Sequence, residues 1–170
     1  KLEALCDSMC TTTITPTKQA KVPSLELVRA LEVATTQGLT VLRYAASHAR
    51  FLLGCSARWN DGQHVHPATL RLTKHTLEAM AWQTKSQSLR QAHKKPIPLI
   101  APLHSFSGVH WWLPLLEGTQ YLMARPSFSG MDYLLPRLSR DLTGFLPRPA
   151  SYSTSLMALR KLLLQKAQPE

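Results

Sequence analysis

The chain has 170 residues, 44% hydrophobic and 18% charged, with 20 Lys plus Arg against 10 Asp plus Glu, a net charge of +10 and a pI near 10.0. That composition excludes a disordered polyampholyte and suits one domain with a buried core. No apolar run approaches the ~18 residues of a membrane span, and three cysteines cannot staple a disulfide framework.

The basic surplus favours a polyanionic partner, with nucleic acid ahead of a merely solvated surface. Its distribution is uneven. Between Val33 and Leu116 stand nine bases (Arg43, Arg50, Arg58, Arg71, Lys74, Lys85, Arg90, Lys94 and Lys95) against Asp61 and Glu78. From Tyr133 to Pro169 six more, including Arg137, Arg140, Arg148, Arg160 and Lys161, face Asp141 alone. The chain starts at Lys1 with no signal peptide, which reads as a fragment or processed product of a reducing compartment.

Residues Lys1–Val22 are Thr-rich without a period and read as a linker or frayed segment. The domain proper is expected over residues 23–170. Ser24 is the predicted N-cap of a first helix, with Glu26 in its first turn and Leu25, Leu27, Val28, Leu31 and Ala34 as its stripe, ending at Gly38. Thr40–Leu53 predicts a second helix with a broad buried face that includes His48 as a satisfied core residue. Gly54-Cys55-Ser56 breaks it, and Arg58–His66 follows as a short polar helix or turn. Thr69–Thr73, Leu77–Thr84 and Lys95–Ile100 predict three short strands, the last confined to an edge by Pro96 and Pro98. Val109–Gly118, Asp132–Leu142 and Ser155–Lys166 then read as helices. The expectation is a mainly helical α+β fold whose helices flank a small three-stranded antiparallel sheet.

Two cations stand out. Arg58 follows an apolar helix and a run of small residues, where its guanidinium fork can meet a phosphate. Asp61, three residues on, can lock that side chain or cap the turn. Lys85 sits where the second strand enters a hairpin, placed to donate a proton to a leaving oxygen. Each alone is equally an ordinary surface charge.

Together, Gly54-Cys55-Ser56-Ala57-Arg58-Trp59-Asn60-Asp61, then Thr84-Lys85, then Ile97-Pro98-Leu99 resemble the tyrosine recombinase (phage integrase) catalytic domain. Ala81-Trp82-Gln83-Thr84-Lys85 looks especially like the divergent eukaryotic recombinases of mobile elements. The resemblance covers roughly residues 23–99. It implies DNA strand breakage and rejoining through a phosphotyrosyl link, without metal or other cofactor. Fixed cations would neutralise the transition state. Arg58 would clamp the phosphate, Lys85 would be the general acid, and Asp61 would support Arg58. Arg71, Lys74, Thr84, Arg90, Lys94 and Lys95 are the candidate DNA contacts. The implied partner is double-stranded DNA, with a homo-oligomer on it, and the implied location is nuclear in a eukaryote and otherwise cytoplasmic. No membrane partner and no small-molecule cofactor are expected.

The family's second box is His-x-x-Arg at a helix start. Here Thr154 and Met157 hold those positions in Ser153-Thr154-Ser155-Leu156-Met157-Ala158, and Met157 is uncharged. Arg160 lies one turn on, a candidate substitute for the missing arginine. No tyrosine follows that box, and Tyr44, Tyr121, Tyr133 and Tyr152 read as core or interface residues. The expectation is therefore a truncated or degenerate relative that does not cleave DNA by itself. The alternatives are a basic DNA-binding or assembly module without chemistry, and an unrelated basic helical domain for RNA or protein. Cys6, Cys10, His64 and His66 fall in two distant pairs that do not make a zinc site. His104, His110, Trp111 and Trp112 read as core rather than a base-stacking platform.

Overall fold

The computed structural model describes residues 23–82 and 96–165. The expected linker Lys1–Val22 and the candidate residues Thr84, Lys85, Arg90, Lys94 and Lys95 lie outside them.

The hydroxyl oxygen of Ser24 accepts from the Leu27 N–H at 3.2 Å, and this cap starts helix α1 (Leu25–Ala34). Its buried side is Leu31, Glu32 and Ala34, whereas Leu25 and Leu27 stay exposed, against the expected stripe. α1 ends before Gly38, which takes φ +83° in the turn that follows. Helix α2 (Thr40–Gly54) is the hub of the fold. Val41, Leu42, Tyr44, Ala45, Phe51 and Leu52 are buried on it. α1 and the third strand both pack against it. Burial of side chains such as Phe51 contributes ~1.5–3 kcal/mol each.

A short helix, α3 (Trp59–Gln63), leads into strands β1 (Arg71–Leu72), β2 (Thr76–Ala81) and β3 (Ile97–Pro102). The sheet is antiparallel in the order β1-β2-β3. β2 alternates as expected, with Leu77, Ala79 and Ala81 inward. β3 lies at an edge, Leu99 and Ala101 inward and Pro98, Ile100 and Pro102 outward. An edge strand tolerates proline because its outer N–H groups have no ladder partner to lose. β1 is shorter than Thr69–Thr73 predicted, because His66, Pro67, Ala68 and Thr69 close a 3₁₀ turn instead.

Helix α4 (Leu113–Met123) starts later than expected, with Pro114 in its first turn, where a missing N–H costs nothing. The expected helix at Asp132–Leu142 is not formed. Pro136 sits inside that stretch and starts β4 (Pro136–Leu138), which pairs antiparallel with β5 (Phe145–Pro149). Leu134, Leu135 and Leu138 are buried there without helical geometry. The last helix, α5 (Tyr152–Gln165), packs on α2 and on β4. The described residues thus form an α+β fold of five α-helices, a three-stranded antiparallel sheet and a two-stranded sheet. None of these helices is long and apolar enough to cross a membrane.

Candidate nucleic-acid interface

The Arg58 turn is set by how α2 ends. Gly54 is the last helical residue, and the left-handed position falls two later on Ser56, at φ +51°. The N–H groups of Ser56 and Ala57 donate to the carbonyls of Leu53 (3.1 Å) and Leu52 (2.9 Å), the paired bonds of a Schellman stop. The chain reverses there and α3 begins. Asp61 caps it, its carboxylate accepting from the Arg58 N–H at 3.2 Å. Gly62 lets α3 lie directly on α2, because a Cβ there would overlap the Leu52 side chain.

This geometry leaves Arg58 exposed. Among the described residues its guanidinium makes no ion pair. Asp61 therefore holds the backbone of the turn and does not pair with the Arg58 guanidinium. The ring of the next residue, Trp59, points inward between His48 (centroids 5.4 Å) and Tyr152 (5.8 Å), edge-on to both. Gln63 donates to the Ala150 carbonyl at 3.1 Å. These contacts seat the Arg58 turn against the first turn of α5, although the two segments lie far apart in sequence. Thr154 lies in that first turn and Met157 in the next. The Thr154 hydroxyl bonds Ser151 at 2.6 Å, while Met157 is exposed.

His48 is buried as expected but not satisfied. Neither ring nitrogen makes a well-formed hydrogen bond among the described residues, the Gly62 backbone offering only a weak one. Burial pushes its pKa down to about 3, so the ring stays neutral beside Trp59.

Several other charges behave differently from the sequence reading. Arg50 is buried, its Nε 2.9 Å from Glu32 Oε1. It donates also to the His104 carbonyl and lies over the Trp111 ring, 4.9 Å from the centroid. The other Glu32 oxygen accepts from Ser105 Oγ and the Ser107 N–H, both at 2.9 Å. Burial alone would raise the Glu32 pKa, but hydrogen bonds from Arg50, Ser105 and Ser107 outweigh it and the carboxyl stays ionised. Arg50 is thus a structural cation and not part of a basic face. Arg71 pairs with Glu78 directly across the sheet, at 2.6 Å, so a phosphate would have to compete for it. Lys74, in the β1–β2 turn, is exposed.

The tyrosines divide. Tyr44 is buried, its hydroxyl bonded to the Leu134 carbonyl (2.6 Å) and Thr119 (2.9 Å), and Tyr133 is buried too. Burial raises both hydroxyls above the ordinary tyrosine value. Tyr121 and Tyr152 are exposed. Trp111 is core, whereas His104 and His110 are exposed. Burial pushes the Cys55 thiol up to about 12, which leaves it an inert thiol at neutral pH. No group of three or more metal-ligating side chains occurs among the described residues.

Sequence reasoning missed one basic feature. Arg137, Arg140 and Arg148, on the β4–β5 hairpin, line a cavity together with Lys161 of α5. Their charge was visible in the sequence, but reading Asp132–Leu142 as a helix hid the hairpin that gathers them. Compared with protein-family models, curated proteins and solved structures, the chain matches none.

Proposed function

We propose that this chain is a double-stranded DNA-binding domain on the plan of a tyrosine recombinase catalytic domain, and that by itself it holds DNA without cutting it. The observation that carries this reading is the junction of Trp59 with Tyr152. It sets an exposed arginine, without an ion pair among the described residues, beside the helix start where the family's second box would stand. A capped turn and an inward tryptophan brace the backbone at Arg58, which fixes where its side chain leaves the surface.

The chemistry is incomplete in the same place. Thr154 can donate a hydroxyl hydrogen bond to a phosphate oxygen but brings no charge, and Met157 brings neither. Loss of one donor aimed at a developing negative charge costs ~10²–10³ in rate. Ground-state binding survives such a loss far better, because it draws on many phosphates at once. Lys85 is proposed to meet the same phosphate as Arg58, and Arg90, Lys94 and Lys95 to extend the contact along the duplex.

The test is fluorescence anisotropy with a labelled duplex, using Arg58→Gln and Lys85→Gln singly and together. If both side chains meet one phosphate, the double variant loses less than the two single losses combined. Independent losses no larger than that of Arg29→Gln, a surface change on α1, would refute the reading. Equal binding of duplex RNA would favour the unrelated basic helical domain instead.

A further inference from the structure

We propose that the cavity between the β4–β5 hairpin and α5 binds the phosphate of a nucleotide. Its volume is about 410 Å³, and four cations line it: Arg137, Arg140, Arg148 and Lys161. No carboxylate is among its lining residues, and among the described residues none of the four makes an ion pair. The nearest acid in sequence, Asp141, is turned into its own loop. It accepts from the hydroxyls of Ser139 and Thr143 and from the Thr143 N–H.

Four like charges around one concavity repel one another, and a bound anion removes that cost. Arginine forks match phosphate oxygens in pairs, and three of the four cations are arginines. The volume exceeds what a bare phosphate needs. Leu142 and Met157 add apolar surface, which suits the sugar or base that an ester phosphate carries. The ligand is therefore a nucleotide, either free or as one unit of a nucleic-acid strand. Arg58 is not among its lining residues, although Thr154 and Met157 are, so the cavity adjoins the Arg58 turn and draws on different cations.

The test uses the full chain, isotopically labelled, with amide shifts followed by NMR. The probes are inorganic pyrophosphate, adenosine triphosphate and a 12-nucleotide single strand. Pyrophosphate and the triphosphate should shift amides of residues 137–148 and 154–161. Arg137→Gln with Arg148→Gln should weaken both by ~tenfold or more, whereas Arg29→Gln and Arg58→Gln leave them unchanged. Lys161→Glu, exposed on α5, is a second variant that leaves the hairpin intact and should weaken both to a similar degree. If the strand shifts the same amides and competes with the triphosphate, the nucleotide comes from nucleic acid. If it binds without touching them, the free nucleotide is the ligand. Shifts spread over the surface and weakened equally by Arg29→Gln, or none at millimolar probe, would overturn the site. Duplex binding lost in Arg58→Gln with triphosphate binding kept separates this site from the DNA reading.

Discussion

The rings of Trp59 and Tyr152 meet edge-on at 5.8 Å and join the Arg58 turn to the first turn of the last helix. Trp59 is partly buried and Tyr152 exposed, so the contact sits at the rim of the core. Trp59→Ala should destabilise the fold by ~2–3 kcal/mol and Tyr152→Ala by ~1 kcal/mol. A double-mutant cycle in urea should return a coupling of ~0.5–1.5 kcal/mol. Zero coupling would mean that this ring contact does not hold the two turns together.

Ser56 is a non-glycine residue at φ +51°. The left-handed conformation costs an L-residue ~1 kcal/mol. Ser56→Gly should therefore raise stability by up to ~1 kcal/mol, read as a higher urea midpoint at unchanged slope. A lower midpoint would show that the Schellman stop does not set this turn.

The Glu32–Arg50 pair is buried and bonded on every side. Arg50→Met leaves the Glu32 carboxylate without its countercharge and should cost ~3–5 kcal/mol. Adding Glu32→Leu should recover part of that loss, because it removes the stranded charge. Thermal melts of the three chains check the order. The lowered Glu32 pKa adds stability above its ordinary 4.5, lost as pH falls through the folded value.

His48 supplies a second acid-sensitive element. The unfolded ring takes a proton near 6.5 and the folded one only near 3. Its share of stability is full above pH 6.5 and is lost as pH falls towards 3, at up to ~1.4 kcal/mol per pH unit. His48→Phe should flatten the pH dependence of the urea midpoint between pH 6 and 4. An unchanged slope would place the acid response elsewhere.

The Ser24 cap, the apolar face of α2, the period-two burial of β2 and the proline-marked edge strand β3 were all legible in the residues, because each is a local pattern. The β4–β5 hairpin was not. Leu134, Leu135, Leu138 and Leu142 are spaced as on a helix, and that spacing outweighed Pro136, which forbids one. Arg50 illustrates a different limit. It counts as one more surface base until the fold brings Glu32 to it, a pairing that no local pattern encodes. Arg58 was legible as a cation at a break, and Asp61 as its cap. The brace of Trp59 on Tyr152 required the tertiary structure.

On a suicide duplex that traps covalent intermediates, no protein–DNA adduct should form. Tyr44 and Tyr133 are buried with raised pKa values, and Tyr121 and Tyr152, though exposed, precede the segment proposed to stand for the second box. A band stable to denaturant would contradict this and make the chain a strand-cleaving enzyme.

Duplex binding titrated against salt is the decisive measurement. With about six phosphates neutralised, log affinity should fall with log salt at a slope near −5, and Arg58→Gln should make it shallower by about one. A flat response, or a slope identical in wild type and Arg58→Gln, would mean that the exposed guanidinium at the end of α2 meets no phosphate.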